Sequence, residues 1–277
     1  MKTILVPTDF TDTAYNAALY ALGLAKEMGT TRVVLYHAYE LIVPVPDVPS
    51  IIPMIEPEDL KLSSHTGLRL LYAKLEPLVP AGVVLSTRSE NQLLASYIDT
   101  VAKEEQADLI IMGIIGGSGL EEALLGADAL DVMKHTRTPL IIVPKDAVFN
   151  GMNTVVFACD FQRTSDSLPI RPMKQLLDVF HARLYVVNVD HEKRHFTADT
   201  PFETLVMDTL LADYTPEYRF VENDNVVDGI TEFAEKENAS LIISIPRQHG
   251  FLEGLFHRSR TRQLAFNSHI PLLIIRE

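Results

Sequence analysis

The sequence has few of the features that mark secreted or membrane proteins. It contains no tryptophan and a single cysteine, Cys159, among 277 residues. One cysteine excludes an internal disulfide and is typical of a reducing compartment, so we expect a cytoplasmic protein. No apolar run is long enough to span a membrane. The N-terminal apolar residues run directly into Pro7 and Asp9, unlike a signal peptide.

Positive charge is also scarce. There are 24 lysines and arginines against 37 aspartates and glutamates, which gives a formal net charge of -13. This balance argues against nucleic acid and anionic membranes as partners. Any bound nucleotide would have to be held by local backbone dipoles, against the overall field of the protein. The length and the 47% hydrophobic content indicate one large globular domain or two of ordinary size.

Three familiar glycine signatures are missing from the stretch 113–126. It lacks the Gly-Lys-Ser/Thr of a Walker loop, the third glycine of the dinucleotide fingerprint and the last glycine of a hydrolase nucleophile elbow. What remains is an apolar run, Leu109–Met112, followed by glycines at 113, 116, 117, 119 and 126. We expect a buried strand that ends at Met112, a glycine turn and then a helix. The turn could simply join the two elements, or its free amides could hold an anion.

Strand and helix patterns alternate along the first half of the chain. Apolar runs predict strands at 3–6, 32–38, 83–86, 109–112 and 139–143, with helical periodicity between them. This alternation predicts an α/β fold with a doubly wound parallel sheet. The exception is the segment 41–57, which holds five prolines among valine, isoleucine and methionine. Its apolar character predicts a loop that covers a cleft or contacts the second half.

The chain then repeats itself. Residues 154–161 and 184–189 echo 3–10 and 33–38 at an offset of 151, whereas 239–243 and 270–275 echo 107–111 and 138–143 at an offset of 132. We therefore expect two domains of one fold, at 1–145 and 152–277. Their last strands, 140–143 and 272–275, would be exposed edges unless they lie together, so we expect them to pair about a pseudo-twofold axis.

In combination, three motifs resemble the universal stress proteins in their tandem two-domain form. They are Ile4–Asp9, the spacing Gly113-x2-Gly116-x9-Gly126, and Thr138–Pro144. The resemblance implies two five-stranded parallel sheets of the adenine nucleotide alpha hydrolase-like type. It also implies a stress-response or signalling role, domains that pair through their last strands, and ATP or another adenine nucleotide as ligand, with or without magnesium.

The same resemblance assigns site residues in the first copy. Pro7, Thr8, Asp9 and the backbone at Ala38 would hold the base and ribose; Met112, Gly113 and Gly116 would line the ribose and phosphates; Gly126 and Ala127 would bind phosphate. Family members that bind ATP usually carry Ser or Thr where this chain has Ala127, so one hydroxyl donor is lost. Asp128 follows, and a carboxylate near phosphate is unfavourable unless a metal ion bridges the two.

The second copy has lost the glycines of this motif. Gly113, Gly116 and Gly126 align with Ile245, Gln248 and Arg258, whose side chains would occupy the phosphate space. We therefore expect a nucleotide in the first domain only, with the second domain as a structural or regulatory partner.

Two other functions remain open at this stage. One is a nucleotide-free dimerisation or adaptor module, which would act through a protein partner or a homo-oligomer. The other is a hydrolase or zinc enzyme, because His191 and His195 match the H-E-x-x-H pattern of zinc peptidases. That pattern needs a helix, and the repeat places it in a loop after a strand. No catalytic base or nucleophile is predicted beside the glycines, so we expect at most slow ATP hydrolysis.

Overall fold

The computed structural model describes residues 1–40, 56–114, 127–161, 168–190, 200–246 and 260–276. The first half of the chain comprises β1 (Thr3–Pro7), α1 (Asp12–Met28), β2 (Arg32–Tyr39), α2 (Pro57–Leu75), β3 (Val84–Asn91), α3 (Leu94–Glu104), β4 (Leu109–Ile114), α4 (Ala127–His135) and β5 (Leu140–Pro144). The second half comprises β6 (Thr154–Ala158), α5 (Arg171–Phe180), β7 (Arg183–Asp190), α6 (Thr200–Leu211), β8 (Glu217–Glu222), α7 (Val226–Lys236), β9 (Leu241–Ser244), α8 (Arg260–Asn267) and β10 (Leu272–Ile274).

All ten of these strands form one sheet, in the order β3-β2-β1-β4-β5-β10-β9-β6-β7-β8. Each half is parallel and has the same internal order, and the halves meet where β5 and β10 run antiparallel. In this pairing Leu272 lies opposite Ile142 and Ile274 opposite Leu140. The pairing of the last strands is confirmed. Hydrogen bonding between β5 and β10 gives each otherwise exposed apolar edge a partner.

Helices cover both faces of the sheet, and α1 shows why they form where they do. Thr11 caps its N-terminus by accepting a hydrogen bond from the N–H of Ala14, and Gly29 ends it with a φ of 61°. The buried face of the helix is rich in alanine, which lets it lie close to β1 and β4. The residues of that face are Ala14, Ala17, Ala18, Tyr20, Ala21, Leu22, Leu24 and Ala25.

The segment that joins the halves is packed. Asn16 of α1 donates hydrogen bonds from Nδ2 to the carbonyl oxygens of Pro144 (3.3 Å) and Ala147 (2.9 Å). Phe149 places its ring edge-on to Tyr20 and Phe180, at centroid distances of 5.2 and 6.1 Å. These contacts tie the connecting segment to a helix of each half. The segment between the two halves, residues 145–151, is therefore an ordered joint.

Ion pairs lie at both outer edges of the sheet. Beside β3, Glu105 accepts from Arg32 (2.9 Å) and Arg88 (2.8 Å). Beside β8, Glu217 accepts from Arg183 and Arg219, each at 2.5 Å. Charged side chains disfavour pairing of an edge strand with another chain. Both outer edges of the sheet therefore carry the same protection against edge-to-edge association.

Four predicted features fall outside the described residues: positions 41–55 of the proline-rich segment, the glycine turn at 115–126, the H-E-x-x-H pair His191 and His195, and the side chains Gln248 and Arg258 that would fill the phosphate space of the second copy.

A search of the described helices finds none that is long and apolar enough to cross a membrane.

Candidate functional site

A cleft opens in the first half at the carboxyl ends of β1, β2 and β4, beside the start of α4. Its space amounts to about 650 Å³, counting the part that is open to solvent. The carboxyl ends of parallel strands are where ligands bind in open α/β sheets. The described lining residues are Pro7, Thr8, Asp9, Thr11, Thr13, Ala14, Tyr36, His37, Ala38, Leu94, Met112, Gly113, Asp128 and Ala129.

Six of the nine predicted site residues line this cleft: Pro7, Thr8, Asp9, Ala38, Met112 and Gly113. Ala127 is the first residue of α4, although the position of its side chain lies outside the described part of the chain. Gly116 and Gly126 also lie outside the described residues. The fold thus brings together residues that are more than 100 positions apart in the sequence.

A tight turn after β1 shapes one wall of the cleft. The backbone N–H of Thr8 donates to the carbonyl of Tyr36 (2.8 Å), which fixes the end of β1 against β2. Thr8 Oγ1 then accepts from the backbone N–H of Phe10 (3.1 Å), and Phe10 has a φ of 67°. Asp9 Oδ1 accepts from both the N–H (3.0 Å) and the hydroxyl (2.6 Å) of Thr11. The Asp9 carboxylate is therefore held in place at the start of α1.

Three side chains form a packed cluster beside this turn. His37, near the end of β2, accepts or donates at Nδ1 a 2.7 Å hydrogen bond with Ser64 Oγ of α2. The Phe10 ring lies against the imidazole, with a centroid distance of 4.4 Å. Gly67 makes room for that ring, because a Cβ at Gly67 would lie 2.6 Å from Phe10 carbons. Helix α2 thus supports the wall of the cleft from behind.

The electrostatic setting of His37 favours the neutral imidazole. Burial lowers the pKa of His37 below its usual 6.5, and the negative charge of Asp9 opposes this shift without reversing it. Ser64, Asp9 and His37 are the residue types of a hydrolytic triad. However, Ser64 is only 1% exposed, so its hydroxyl is not accessible to a substrate in the cleft.

The position of Gly113 in the structure differs from the sequence-based expectation. The glycine turn was predicted to begin there, but Gly113 is still part of β4 and lies opposite Val143 of β5. A Cβ at this position would lie 2.6 Å from the backbone oxygen of Thr13. The glycine therefore allows α1 to approach β4 closely, and its role in packing is visible without any ligand.

Asp128 brings a second carboxylate to the cleft, at the first turn of α4. Its pKa is raised above 3.8 by burial and then by the negative charges of Asp9 and Asp131. The positive end of a helix dipole favours anions, but here the protein supplies its own anion at that place. A ligand phosphate at this end of the cleft would meet a carboxylate.

The second half keeps the turn after its first strand but fills the neighbouring space. Phe161 is 3% exposed and packs against Tyr218 and Phe220, at centroid distances of 6.0 and 5.6 Å. Asn188 stands where the first half has His37, and it donates a 3.0 Å hydrogen bond to the carbonyl of Cys159. The first helix described in the second half, α5, begins at Arg171, whereas α1 begins directly after the turn.

Sequence reasoning placed Asp128 beside the phosphates but did not find His37, which lines the cleft, or Phe10 and Ser64, which pack against His37. One signal was present, since Phe10 recurs as Phe161 at the offset of the repeat. Within the described part of the chain, no group of three His, Cys, Asp or Glu side chains could hold a metal ion.

The fold and the cleft together define a class: a tandem, doubly wound α/β protein with a cleft in its first half. Comparison with known proteins agrees. The sequence matches the universal stress protein family over residues 1–144 and again over 152–276. The chain therefore belongs to the universal stress protein family and carries two copies of its domain.

Individual relatives support this assignment. A universal stress protein of Methanocaldococcus jannaschii is 30% identical over 151 residues, which are 52% of this chain and 82% of the relative. One from Bacillus subtilis is 30% identical over 143 residues, or 50% of this chain and 97% of the relative. Each of these relatives matches about half of the chain.

Solved structures show the same fold over the full length. The crystal structure of a universal stress protein from Archaeoglobus fulgidus covers 99% of this chain and 96% of its own, with a TM-score of 0.75 and 19% identity. A functionally unknown protein from Pseudomonas aeruginosa covers 100% of this chain and 92% of its own, with a TM-score of 0.63 and 16% identity.

Proposed function

We propose that this universal stress protein binds ATP or a related adenine nucleotide in its first domain, residues 1–145, and serves as a nucleotide-responsive stress or signalling protein. The observation that carries the proposal is the cleft itself, which gathers Pro7, Asp9, Ala38 and Met112 at the carboxyl ends of three parallel strands. These are the positions to which the family resemblance assigns the base and ribose.

The second domain, residues 152–277, is proposed to bind no nucleotide. Ile245 takes the place of Gly113, and the space beside the turn is occupied by the Phe161 cluster. This domain instead pairs with the first through β10. Its proposed role is to complete the internal pair and to present a surface to a protein partner or another copy.

Magnesium is the proposed companion of the nucleotide. Asp9 and Asp128 both line the cleft and raise its negative charge. A divalent cation bound with the phosphates would offset this charge, and carboxylate oxygens are suitable ligands for it. The chain's own contribution is to orient the base end of the nucleotide through the ordered turn at Thr8–Thr11.

Calorimetric titration of the full chain with ATP, with and without magnesium, tests the proposal. We expect one site per chain and tighter binding when magnesium is present. Gly116→Arg should abolish binding by filling the phosphate space assigned by the resemblance. Mass spectrometry of ligand released from freshly purified protein would identify the nucleotide. Two sites per chain, or no heat at millimolar concentrations of adenine nucleotides, would contradict the proposal.

Asp128 favours a second candidate, a nucleotide-free adaptor module. Its carboxylate lies in the cleft at the helix end where a phosphate would otherwise bind. If no adenine nucleotide binds to the parent, the ordered two-domain pair acts through protein contacts alone. Affinity capture with the parent and with Asp128→Asn as bait would then identify partners independently of the cleft.

A further inference from the structure

We propose that His37 recognises the ligand in the first-domain cleft by donating a hydrogen bond from Nε2–H to an uncharged acceptor atom of the base or ribose. Ser64 positions the His37 imidazole for this contact. This inference rests on the proposed nucleotide function and adds a residue that sets ligand specificity. It predicts recognition of a ring nitrogen or a ribose oxygen in preference to a phosphate.

The hydrogen bond between Ser64 and His37 assigns the imidazole tautomer. Ser64 Oγ is buried, and among the described residues His37 Nδ1 is its hydrogen-bond partner, at 2.7 Å. A buried hydroxyl needs an acceptor for its proton, and Nδ1 is the acceptor available. Ser64 therefore donates to Nδ1, and the ring proton of the neutral imidazole lies on Nε2. The group that remains for a ligand is a donor.

The imidazole is also held in orientation before any ligand arrives. Phe10 packs against one side at 4.4 Å, and Tyr39 stacks at 6.3 Å with an interplanar angle of 19°. The position of Phe10 is itself set by Gly67 of α2 and by its hydrogen bond to Thr8. A donor whose direction is fixed by packing loses little entropy on binding, and it rejects ligands that lack the matching acceptor.

The location of His37 in the chain points to the base and ribose end of the ligand. It lines the cleft and directly precedes Ala38, whose backbone the resemblance assigns to that end. At neutral pH the imidazole carries no charge, because burial disfavours its protonation. A neutral donor in a strongly acidic protein suits an uncharged acceptor on the ligand.

The second domain provides an internal comparison. Asn188 occupies the equivalent strand position, but its Nδ2 is used within the protein, in the hydrogen bond to the Cys159 carbonyl. Asn188 is only 4% exposed, and Phe161, two residues after Cys159, is only 3% exposed. In the second domain, the position equivalent to His37 is thus part of the core.

The first test pairs protein variants with ligand analogues. Binding of ATP is measured by calorimetry alongside analogues in which N1, N3 or N7 of adenine is replaced by carbon, and alongside the 2′-deoxy and 3′-deoxy forms. His37→Phe keeps an aromatic ring, and His37→Gln keeps a side-chain donor. We expect His37→Phe to weaken ATP binding roughly 3- to 10-fold, in line with the loss of one hydrogen bond, and His37→Gln to weaken it less.

One analogue should behave differently from the others. It should bind more weakly than ATP to the parent but equally well to His37→Phe, because the acceptor it lacks is the one that His37 contacts. His65→Gln, an exposed histidine on α2, is the matched control and should leave every affinity unchanged. If all analogues lose the same factor in the parent and in His37→Phe, the inference is overturned while nucleotide binding itself stands.

Nitrogen-15 NMR spectra of the histidine side chains provide a second readout. It would not change on ligand binding if His37 had a purely structural role. Signals absent from His37→Phe are assigned to His37. We expect the Nε2–H tautomer in the free protein, a shift of Nε2 on addition of ATP, and loss of the single tautomer in Ser64→Ala. A proton on Nδ1, or an unmoved Nε2 signal at saturating ATP, would overturn the inference. No binding of any nucleotide to the parent would overturn both this inference and the proposed function.

Discussion

Cys159 accepts a hydrogen bond through Sγ from the backbone N–H of Phe161, at 3.4 Å. The first domain builds the same turn with Thr8 Oγ1 and Phe10, and both phenylalanines have a positive φ, at 51° and 67°. The two domains therefore share the turn after their first strand. They differ in what the turn faces, which is a cleft in one domain and a filled aromatic cluster in the other.

This difference predicts unequal effects of two matched substitutions. Asp9→Ala removes the carboxylate that Thr11 holds in place beside the cleft, and we expect adenine-nucleotide affinity to fall roughly tenfold or more. Asp160→Ala, at the equivalent position of the second domain, should leave affinity unchanged. Calorimetry on both variants decides the matter, and an equal loss in the two would show that the asymmetric assignment is wrong.

Two glycines of the first domain predict different responses to an added methyl group. In Gly113→Ala the new Cβ would meet the backbone oxygen of Thr13 at 2.6 Å, whereas in Gly23→Ala it would meet the Phe149 ring at 2.8 Å. We expect Gly113→Ala to lower the free energy of unfolding by about 1–3 kcal/mol, because backbone has little freedom to move. Gly23→Ala should also lower the free energy of unfolding. Here the clash is with a side chain, Phe149, which a second substitution can replace.

Double variants separate these two causes. Adding Phe149→Leu to Gly23→Ala should recover part of the loss, because the clashing ring is gone. Adding Thr13→Ser to Gly113→Ala should not, because the backbone oxygen remains. Urea unfolding of the two single and two double variants measures these differences. Val148→Ala is the control, because Val148 is 69% exposed. Recovery in the Thr13 pair would argue against a backbone contact at Gly113.

Much of the architecture could be predicted because it follows from local pattern. Short apolar runs predicted the strands of the first half, and the offsets of 151 and 132 predicted the repeat. The pairing of β5 with β10 followed from one physical rule, that apolar edge strands need a partner. These inferences need only the identity of neighbouring residues along the chain.

The details of the cleft depend on contacts that no spacing encodes. Ser64 and His37 are 27 residues apart and meet because α2 packs on β2. The end of β4 was predicted one residue before Gly113, although the strand continues through it, for the same reason. A glycine after an apolar run is compatible with a turn or with a close helix contact, and only the position of Thr13 separates the two.

Asp128 predicts a variant with improved binding. Its carboxylate shares the cleft with Asp9, and the repulsion between them contributes to the raised pKa of Asp128. Asp128→Asn removes one negative charge without changing shape, so we expect ATP to bind roughly 3- to 10-fold more tightly without magnesium. With magnesium present we expect no gain, because the cation then offsets the carboxylate charge. Calorimetry at constant ionic strength measures both conditions.

A neighbouring carboxylate provides the control for this experiment. Asp131 lies on the same helix and pairs with Lys134 at 2.7 Å, outside the lining of the cleft. Asp131→Asn should therefore leave affinity nearly unchanged. Without magnesium, weaker binding in Asp128→Asn than in the parent would instead indicate that the Asp128 carboxylate contacts the nucleotide directly.

His37 predicts how stability depends on pH. Its pKa in the folded protein is lowered by burial, so between that value and 6.5 the unfolded chain binds more protons than the folded one. The free energy of unfolding should thus fall as the pH drops through 6.5, and it should level off below the folded pKa. The nearby charge of Asp9 reduces the size of this effect without changing its sign.

Urea unfolding of the parent and of His37→Gln, at intervals from pH 5 to 8, isolates the contribution of His37. The variant carries no titrating group at this position, so the difference in unfolding free energy between the two proteins should shift in favour of the variant as the pH falls from 7.5 to 5.5. His65→Gln, on the exposed side of α2, should follow the parent more closely. If the difference between parent and His37→Gln is the same at every pH, burial does not hold the imidazole neutral. The proposal that a neutral His37 donates from Nε2–H would then lack its electrostatic basis.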